Sequence, residues 1–282
     1  CRELIELLKD ERKFIVKAIA SEEIVISNVA LSVMKMVREE SVRYKLGNEE
    51  FSPYESLRKL GNAITFSNEI PAKELKKSVL AAMHEYSTEI ETCRGNMIGQ
   101  ARNYIGRADT VLTHSLTSSA TLKAFFETAN KFKRFRVFCT EEGISYAEYI
   151  QPESLLMCIE HTTRVVLSAA AVFLDGSCFA VPGSLTICRA AKLRSVPVFF
   201  CAAFYKITPI LPHTYNAEPV GSPKTVLPFT FSKTYCYSQV INPVFDFIPA
   251  ELVTSYICHT SIIVPQHVRR VLGDYYHPED VN

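Results

Sequence analysis

Apolar residues recur at helical spacing through the first third of the chain and then give way to short continuous runs. Three segments carry the 3.6-residue period typical of helices, namely residues 4–19, 21–40 and 71–90. A polar break at residues 47–53 separates the second segment from the third. Because acidic and basic residues are nearly balanced here, the pattern predicts a solvated helical bundle rather than a basic arm.

From Asp109 onward, the pattern is that of buried strands alternating with helices. Continuous runs rich in Val, Ile and Phe lie at residues 111–112, 135–139, 165–167 and 196–201. Such runs are typical of strands buried on both faces, and hence of a parallel sheet flanked by helices. The predicted fold class is α/β, with an N-terminal helical domain and linking helix over residues 1–106 and a parallel-sheet domain over residues 107–282.

Two further helices and one loop complete the predicted path of the chain. Residues 183–194 fit a crossover helix, and residues 266–276 fit a final helix. Residues 207–239 are rich in Pro, Ser and Thr, which predicts a loop with one or two short strands.

Composition argues against several classes of function. The chain has 282 residues, of which 48% are hydrophobic and 22% charged, with a formal net charge of +1. This balance predicts neither a nucleic-acid partner nor a membrane partner, and we find no run of about 18 apolar residues and no signal-peptide pattern. The nine cysteines lie in apolar surroundings without a CxxC pair. They predict buried thiols in a reducing cytoplasm.

The segment 110–129 is the strongest candidate for a functional site. An apolar run ends at His114, a hydroxyl-rich turn follows, and a helical pattern starts at Leu122. Either Ser118 or Ser119 is predicted as the helix N-cap. Backbone N–H groups and the positive helix end at such a junction are suited to hold a phosphate, although ordinary turn chemistry explains the hydroxyls about as well. His114 lies where an α/β site would use it, yet a structural histidine is the more frequent case.

Other motifs are weaker or absent. No GxGxxG, Walker, HExxH or metal-spaced Cys/His pattern occurs, so no cofactor and no metal are predicted. The basic residues 131–136 follow a helical segment, where positive charge complements the helix dipole, and nucleic-acid binding is the minority interpretation. Asp246 lies among aromatic residues, where a carboxylate needs hydrogen-bond partners.

Several segments, taken in order, resemble one family. They are residues 21–40, 112–119, 175–176, 183–192, 196–209 and 242–252. Together they are similar to the superfamily that unites the regulatory subunits of eukaryotic translation initiation factor 2B with isomerases of methylthioribose-1-phosphate or ribose-1,5-bisphosphate. The ending at residues 275–280 resembles the beta branch of the regulatory subunits.

The resemblance implies a helical N-terminal domain, a Rossmann-like C-terminal domain and no enzyme activity. The isomerases use a cysteine after the first strand of the C-terminal domain and an aspartate in a Gly-Ala-Asp turn, and Ser115 and Ala170 stand at these positions. Serine is a much weaker acid than cysteine, and alanine cannot transfer a proton. The Glu-x-x-Pro…Gln-Gly loop of the family is reduced at residues 141–144, and the segment before Val165 is shorter by about a helix. The expected remnant is a degenerate pocket of His114, Ser115, Thr117, Ser118, Ala170 and Asp175.

By the same resemblance, the chain is expected to be a cytosolic regulatory subunit of a guanine-nucleotide exchange factor. Its implied partners are alpha-, delta-, gamma- and epsilon-like subunits of initiation factor 2B and the alpha subunit of initiation factor 2, whose phosphorylation the complex senses. The predicted subunit interface consists of Ile241, Val244, Phe245, Asp246, Phe247, Ile262 and Ile263, for which ordinary core is an equal alternative. Two alternative functions remain open: an isomerase with displaced catalytic residues, and a sugar-phosphate or nucleotide sensor.

Overall fold

The computed structural model describes residues 2–18, 24–46, 72–212, 220–228 and 239–281. By their contacts the residues divide into two compact units, one of Cys1–Cys93 with Arg269–Asn282 and one of Arg94–Val268. This division differs from the predicted boundary after residue 106, because the sheet unit begins earlier and the C-terminal residues group with the helices. The boundary at residue 106 therefore stays a prediction.

Long helices dominate the first unit. α1 covers Arg2–Ala18, α2 covers Ile24–Leu46 and α3 covers Ala72–Gly99. The three predicted helices are confirmed, and Leu31 and Met34 of α2 are fully buried. The predicted cap at residues 21–23, the polar break at residues 47–53 and the predicted start at Pro71 lie outside the described residues.

Two of these helices are longer than the sequence pattern predicted. α2 continues beyond residue 40 because residues 41–46 contain neither Gly nor Pro to stop it. α3 passes through Gly95, since Cys93 and Met97 on either side remain buried and extend the apolar face. Packing of that face outweighs the weak helix propensity of a single glycine.

The second unit contains a mostly parallel sheet. Its strands are β1 Thr110–Thr113, β2 Arg136–Cys139, β3 Glu148–Tyr149, β4 Arg164–Val172, β5 Cys178–Ala180, β6 Val198–Cys201, β7 Asp246–Ile248, β8 Ser255–Ile257 and β9 Ile262–Ile263. They follow the order β3-β2-β1-β4-β6-β8-β9, and each neighbouring pair is parallel except β8 with β9. β5 pairs antiparallel with β4, and β7 with β5. The predicted parallel sheet is confirmed, whereas the antiparallel strands were not predicted.

Helices connect the parallel strands. The connecting helices are α5 Ala120–Phe132, α6 Leu155–Glu160 and α7 Ser184–Leu193, and the short α4, Ala101–Tyr104, precedes β1. The buried positions of α5 are Leu122, Phe125, Phe126 and Ala129, as the helical period predicted. α7 confirms the predicted crossover helix, and α6 is short, as the shortened segment before Val165 implies.

The direction in which strands are added changes at β1 and β4. The chain adds β2 and β3 beyond one side of β1, and it adds β6 and β8 beyond the other side of β4. The carboxyl ends of two strands at such a switch point border a crevice, where open parallel sheets bind their ligands. The switch-point loop, residues 114–119 between β1 and α5, is therefore the place where this fold would hold a ligand.

A tight hairpin explains why β5 turns back along β4. Gly176 has φ +83°, and a Cβ there would lie 2.6 Å from the carbonyl oxygen of Pro265. Asp175 accepts hydrogen bonds from the backbone N–H of Ser177 at 2.9 Å and from its hydroxyl at 2.6 Å. The Tyr256 hydroxyl donates to the Gly176 carbonyl at 2.6 Å. Glycine is needed here because the backbone is left-handed and the neighbouring chain is close.

In the described residues, the cysteines and the loop at residues 207–239 agree with the sequence predictions. Of the seven described cysteines, all are free and only Cys158 is not fully buried. In the predicted loop at residues 207–239, isolated bridges form at Ile207 and Val220, and residues 213–219 and 229–238 lie outside the described part. None of the described helices has the length and apolar character that crossing a bilayer requires.

Two short helices follow the last strand and pack within the helical unit. α8 covers Val268–Tyr275 and α9 covers Pro278–Val281, and α8 confirms the predicted final helix. The buried carboxylate of Asp280 accepts two hydrogen bonds from Arg38, both at 2.7 Å, and lies 3.1 Å from Nζ of Lys9. Arg38 also pairs with Glu279 at 2.8 Å. These ion pairs join the C-terminal residues to α1 and α2.

Candidate functional site

The switch-point loop is a compact turn between β1 and α5. Ser119 caps α5, since its hydroxyl accepts from the Leu122 N–H at 3.3 Å, which selects one of the two predicted caps. Ser115 has φ +51°, a left-handed conformation that is uncommon for serine. The Ser115 and Ser118 hydroxyls are hydrogen-bonded to each other, and the Ser118 N–H donates to the Ser115 carbonyl at 3.3 Å. The turn therefore satisfies many of its own polar groups.

Both ring nitrogens of His114 are occupied by other parts of the chain. Nε2 lies 2.8 Å from the Pro182 carbonyl oxygen, and Nδ1 lies 2.5 Å from the Thr140 hydroxyl. Since a carbonyl can only accept, Nε2 donates its proton to the Pro182 oxygen, and Nδ1 is hydrogen-bonded to the Thr140 hydroxyl. A Cβ at Gly183, where φ is +98°, would lie 3.0 Å from Nε2. This arrangement favours the structural interpretation of His114.

The donors of the loop are already occupied by a carboxylate of the same chain. The backbone N–H of Thr117 donates to one oxygen of Glu141 at 2.9 Å, and the Thr117 hydroxyl donates to the other oxygen. Burial raises the pKa of Glu141, but hydrogen bonds from the Thr117 hydroxyl and backbone N–H, together with the nearby His114 side chain, lower the pKa overall. Glu141 is therefore ionised at neutral pH, and an anion already lies where the sequence predicted a phosphate.

Sequence reasoning considered Glu141 only as part of a reduced family loop. Its position directly after β2, the strand beside β1, was the signal that could have found the contact. The carboxyl ends of neighbouring parallel strands lie at the same edge of a sheet. A carboxylate that follows β2 can therefore reach the loop that follows β1.

β4 supplies the other side of the crevice. The Ser119 hydroxyl donates to that of Ser168 at 3.1 Å, which links the start of α5 to β4. Lys206, which the sequence analysis did not identify, donates from Nζ to the Ala169 carbonyl at 2.9 Å. Ala170, the next residue of β4, carries no ionisable group.

In the described part of the chain, no three His, Cys, Asp or Glu side chains are placed to hold a metal ion together.

Five of the six pocket residues predicted from the sequence fall into two groups, and the sixth, Ala170, lies in β4. His114, Ser115, Thr117 and Ser118 all lie in the switch-point loop and its hydrogen-bond network. Asp175 belongs instead to the β4–β5 hairpin, where its contacts with Ser177 explain it as a turn residue. The pocket as a whole stays a prediction.

Asp246, predicted at a subunit interface, has partners within its own chain. Its Oδ2 accepts from the backbone N–H groups of Gly183 at 2.8 Å and Leu185 at 2.9 Å, at the start of α7. A carboxylate is favourable there because it compensates both free N–H groups and the positive helix end. The sequence required partners for this residue, and the structure supplies them.

The other predicted interface residues differ in exposure. Ile241 is 65% exposed and Ile262 is 43% exposed, whereas Ile263 is buried. Val244, Phe245 and Phe247 are half-buried. The Phe245 ring stacks on that of Phe179 with centroids 5.9 Å apart, and the Phe247 ring meets Phe179 edge-on at 6.3 Å. Among these residues only Ile241 and Ile262 are exposed, and the interface stays a prediction.

The basic cluster at the end of α5 is partly engaged by its own chain. Lys133 donates from Nζ to the Ile105 carbonyl at 2.6 Å, and Arg136 forms a two-bond ion pair with Glu148 at 2.8 and 3.0 Å. The Arg102 guanidinium lies 3.4 Å from the ring centroid of Phe132. These contacts agree with a local structural role rather than with a nucleic-acid surface.

The chain matches the model of the Initiation factor 2 subunit family over residues 2–265, and it belongs to that family. A similar curated protein is translation initiation factor eIF2B subunit beta of Dictyostelium discoideum, 27% identical over 234 residues. The match covers 77% of this chain and 59% of that protein. The chain thus spans about three fifths of the length of this relative.

Solved structures support the fold. The crystal structure of eIF2B beta from Chaetomium thermophilum has a TM-score of 0.73 at 18% identity and covers 99% of this chain and 78% of that one. The tetrameric eIF2B beta2-delta2 complex of the same organism has a TM-score of 0.70 at 18% identity and covers 98% and 81%. The 5-methylthioribose 1-phosphate isomerase of Pyrococcus horikoshii has a TM-score of 0.53 at 14% identity and covers 90% and 84%. The fold is therefore shared by initiation-factor subunits and an isomerase.

Proposed function

We propose, from its membership in the Initiation factor 2 subunit family, that this chain is a non-catalytic, beta-like regulatory subunit of initiation factor 2B. Its role is to scaffold the exchange-factor complex and to help sense phosphorylated initiation factor 2. The match to the Dictyostelium discoideum beta subunit supports the beta assignment. Because this chain spans only part of that relative, the role of the whole protein belongs to the proposal.

The observation that carries the non-catalytic assignment is the composition of the switch-point loop. The isomerase chemistry of the superfamily needs an acidic thiol and a carboxylate that moves a proton, and Ser115 and Ala170 stand at the matching positions. A serine hydroxyl and a methyl group cannot replace them at neutral pH. His114 does not compensate, because each of its ring nitrogens already has a hydrogen-bond partner.

The proposed partner of the sheet unit is a delta-like subunit, with alpha-, gamma- and epsilon-like subunits completing the complex. The exposed side chains of Ile241 and Ile262 support a contact through this unit, since apolar side chains at a surface favour association. The structure of a beta2-delta2 complex from a relative of the same fold supports the choice of partner.

The helical unit is the proposed contact for the alpha subunit of initiation factor 2. On α1, Leu7 is 63% exposed and Phe14 is 69% exposed. They lie seven residues apart and so share one face of the helix. This outward apolar face supports a binding role for the unit.

Co-purification tests the partner assignment. The tagged chain is co-expressed with a delta-like subunit, and the recovered complex is quantified for the wild type, Ile241→Asp and Ile262→Asp. We expect at least a tenfold loss of complex in the two variants. Leu193→Asp changes a side chain of α7 that is 77% exposed and outside the predicted interface, and it should leave recovery unchanged. A wild-type chain that remains monomeric beside its partner would contradict the proposal.

Incubation with sugar phosphates tests the non-catalytic assignment. We expect no turnover of methylthioribose-1-phosphate or ribose-1,5-bisphosphate by the purified chain. Turnover that Ser115→Ala abolishes would instead support an isomerase with displaced residues.

A further inference from the structure

We infer that Glu141 is a built-in anion that occupies the donors of the switch-point loop and closes this loop to free phosphate. The inference goes beyond the proposed subunit role, because it concerns how the chain itself treats the ligand position of its fold. It holds whether or not the chain joins an exchange factor.

The donor arrangement is that of an oxoanion site. The Thr117 N–H and the Thr117 hydroxyl bind different oxygens of Glu141, so that the carboxylate is held at two points. A backbone N–H and a hydroxyl that converge on two carboxylate oxygens are groups that also bind phosphate oxygens.

The position of the loop makes this occupation significant. The loop follows β1 at the switch point and leads into α5, so the positive end of the helix lies beside it. Both donors that bind Glu141 are neutral groups of Thr117, and the nearby His114 adds an electrostatic contribution that also lowers the pKa of the carboxylate. A phosphate entering the loop would compete for the same donors against a tethered negative charge. Tethering gives the carboxylate a high local concentration, and like charge opposes the newcomer.

α7 shows the same arrangement a second time. Asp246 occupies the N–H groups of Gly183 and Leu185 at the start of this ten-residue helix. A carboxylate from another segment thus occupies donors at the start of α7 and donors in the turn that leads into α5. In this unit, carboxylates of the chain itself therefore satisfy free N–H donors at two places. Of the two carboxylates, Glu141 is the one that lies at the ligand position of the fold.

Phosphate binding by the full chain tests the inference. Inorganic phosphate is titrated at constant ionic strength into the wild type, Glu141→Ala and Glu141→Gln, and binding is read from the thermal midpoint and from the backbone amide resonance of Thr117. We expect no saturable response in the wild type and saturable binding by Glu141→Ala, at least tenfold tighter than any wild-type response. Glu142→Ala is the matched control, because it removes the same charge from the exposed neighbouring residue and should behave like the wild type.

Each result decides the inference. Equal phosphate binding by the wild type and Glu141→Ala would overturn it, and so would a folded Glu141→Ala that binds none. If Glu141→Ala does not fold, Glu141→Gln keeps the shape and an acceptor oxygen without the charge, and absence of binding there also counts against the inference. In the wild type, the Thr117 amide should shift as acid protonates Glu141, and an amide that does not respond would contradict the contact. Binding of a delta-like subunit is unaffected by any of these outcomes, so the subunit proposal is judged separately.

Discussion

Glu141 in the sheet unit and Asp280 in the helical unit are both carboxylates held in place by several donors, yet the donors differ in kind. Asp280 is completely buried and is bound by the guanidinium of Arg38 and the ammonium of Lys9. Glu141 is bound by the backbone N–H and the hydroxyl of Thr117. For both groups burial raises the pKa, and hydrogen bonds lower it below the ordinary value.

The difference separates a contact that holds a unit together from one that occupies donors at the ligand position of the fold. A buried carboxylate between two cations can be removed only at the cost of leaving the cations unpaired. A carboxylate on backbone dipoles can be replaced by another anion, because the donors remain satisfied. Asp280 therefore holds its unit together, while Glu141 occupies donors that the fold would otherwise offer to a ligand.

The largest expected effect is that of removing the cation-bound carboxylate. Asp280→Ala leaves Arg38 and Lys9 without their buried partner and should lower the free energy of unfolding of the helical unit by about 3–5 kcal/mol. Glu279→Ala removes a half-exposed partner of the same Arg38 and should cost less than about 1 kcal/mol. Urea unfolding followed by circular dichroism measures both. Equal losses would show that Asp280 is no more important than a surface charge.

A smaller effect is expected for replacing Gly183, which lies against His114 of the switch-point loop. Gly183→Ala must adopt φ +98° and place its Cβ 3.0 Å from Nε2 of His114, which should cost about 1–3 kcal/mol. Gly143→Ala has the same left-handed backbone but no atom within 4 Å of its Cβ, so it isolates the backbone strain of about 1 kcal/mol. The imidazole resonances of His114 should change only in the first variant. An unchanged spectrum in Gly183→Ala would mean that the close contact carries no cost.

Removing the second dipole-bound carboxylate should be cheaper than removing Asp280. Asp246→Ala leaves the N–H groups of Gly183 and Leu185 without their acceptor and should cost about 1–2 kcal/mol, as for loss of a helix cap. Glu251→Ala, an exposed carboxylate in the segment after β7, is the control and should be nearly neutral. If Asp246→Ala were as costly as Asp280→Ala, the distinction between dipole and cation partners would fail.

The smallest effect is a difference in pH dependence. Burial and the charge of Arg38 lower the pKa of His277 from its ordinary 6.5, although Asp280 and Glu279 oppose this. The folded state therefore disfavours the charged ring, so stability is complete above about pH 6.5 and declines as the pH falls below it. The contribution of Asp280, whose pKa is lowered, persists further and is lost only below its ordinary 3.8. Unfolding between pH 7.5 and 5 should be less pH-dependent in His277→Gln than in the exposed control His84→Gln.

Secondary structure in this chain follows closely from local patterns. The period of the apolar residues predicted α1, α2, α3, α5 and α7, and continuous apolar runs predicted β1, β2, β4 and β6, because one-sided and two-sided burial leave different spacings. The apolar runs did not predict β5 and β7, since these strands depend on a glycine turn at Gly176 and on pairing across a long separation in sequence.

The candidate site was predictable only in part. The strand, the hydroxyl-rich turn and the cap at Ser119 are local features, so the sequence located the loop and its capacity for an anion. The occupant was not predicted, because Glu141 follows another strand, 24 residues beyond Thr117, and the contact depends on the order of the strands in the sheet. For the same reason Asp175 was expected in a pocket and lies in a hairpin, and Asp246 was expected at an interface and also caps α7.

The sequence by itself determined the two kinds of architecture, the position of the loop and the family resemblance, since each depends on residue types at short spacing. Only the tertiary structure decided which groups meet: Asp280 with Arg38, Asp246 with the start of α7, and Glu141 with Thr117. Hydrogen bonds and ion pairs act over about 3 Å, and only folding brings residues that are far apart in the chain within that distance. The same loop sequence with a different residue after β2 would be an open anion site, and with Glu141 it is filled.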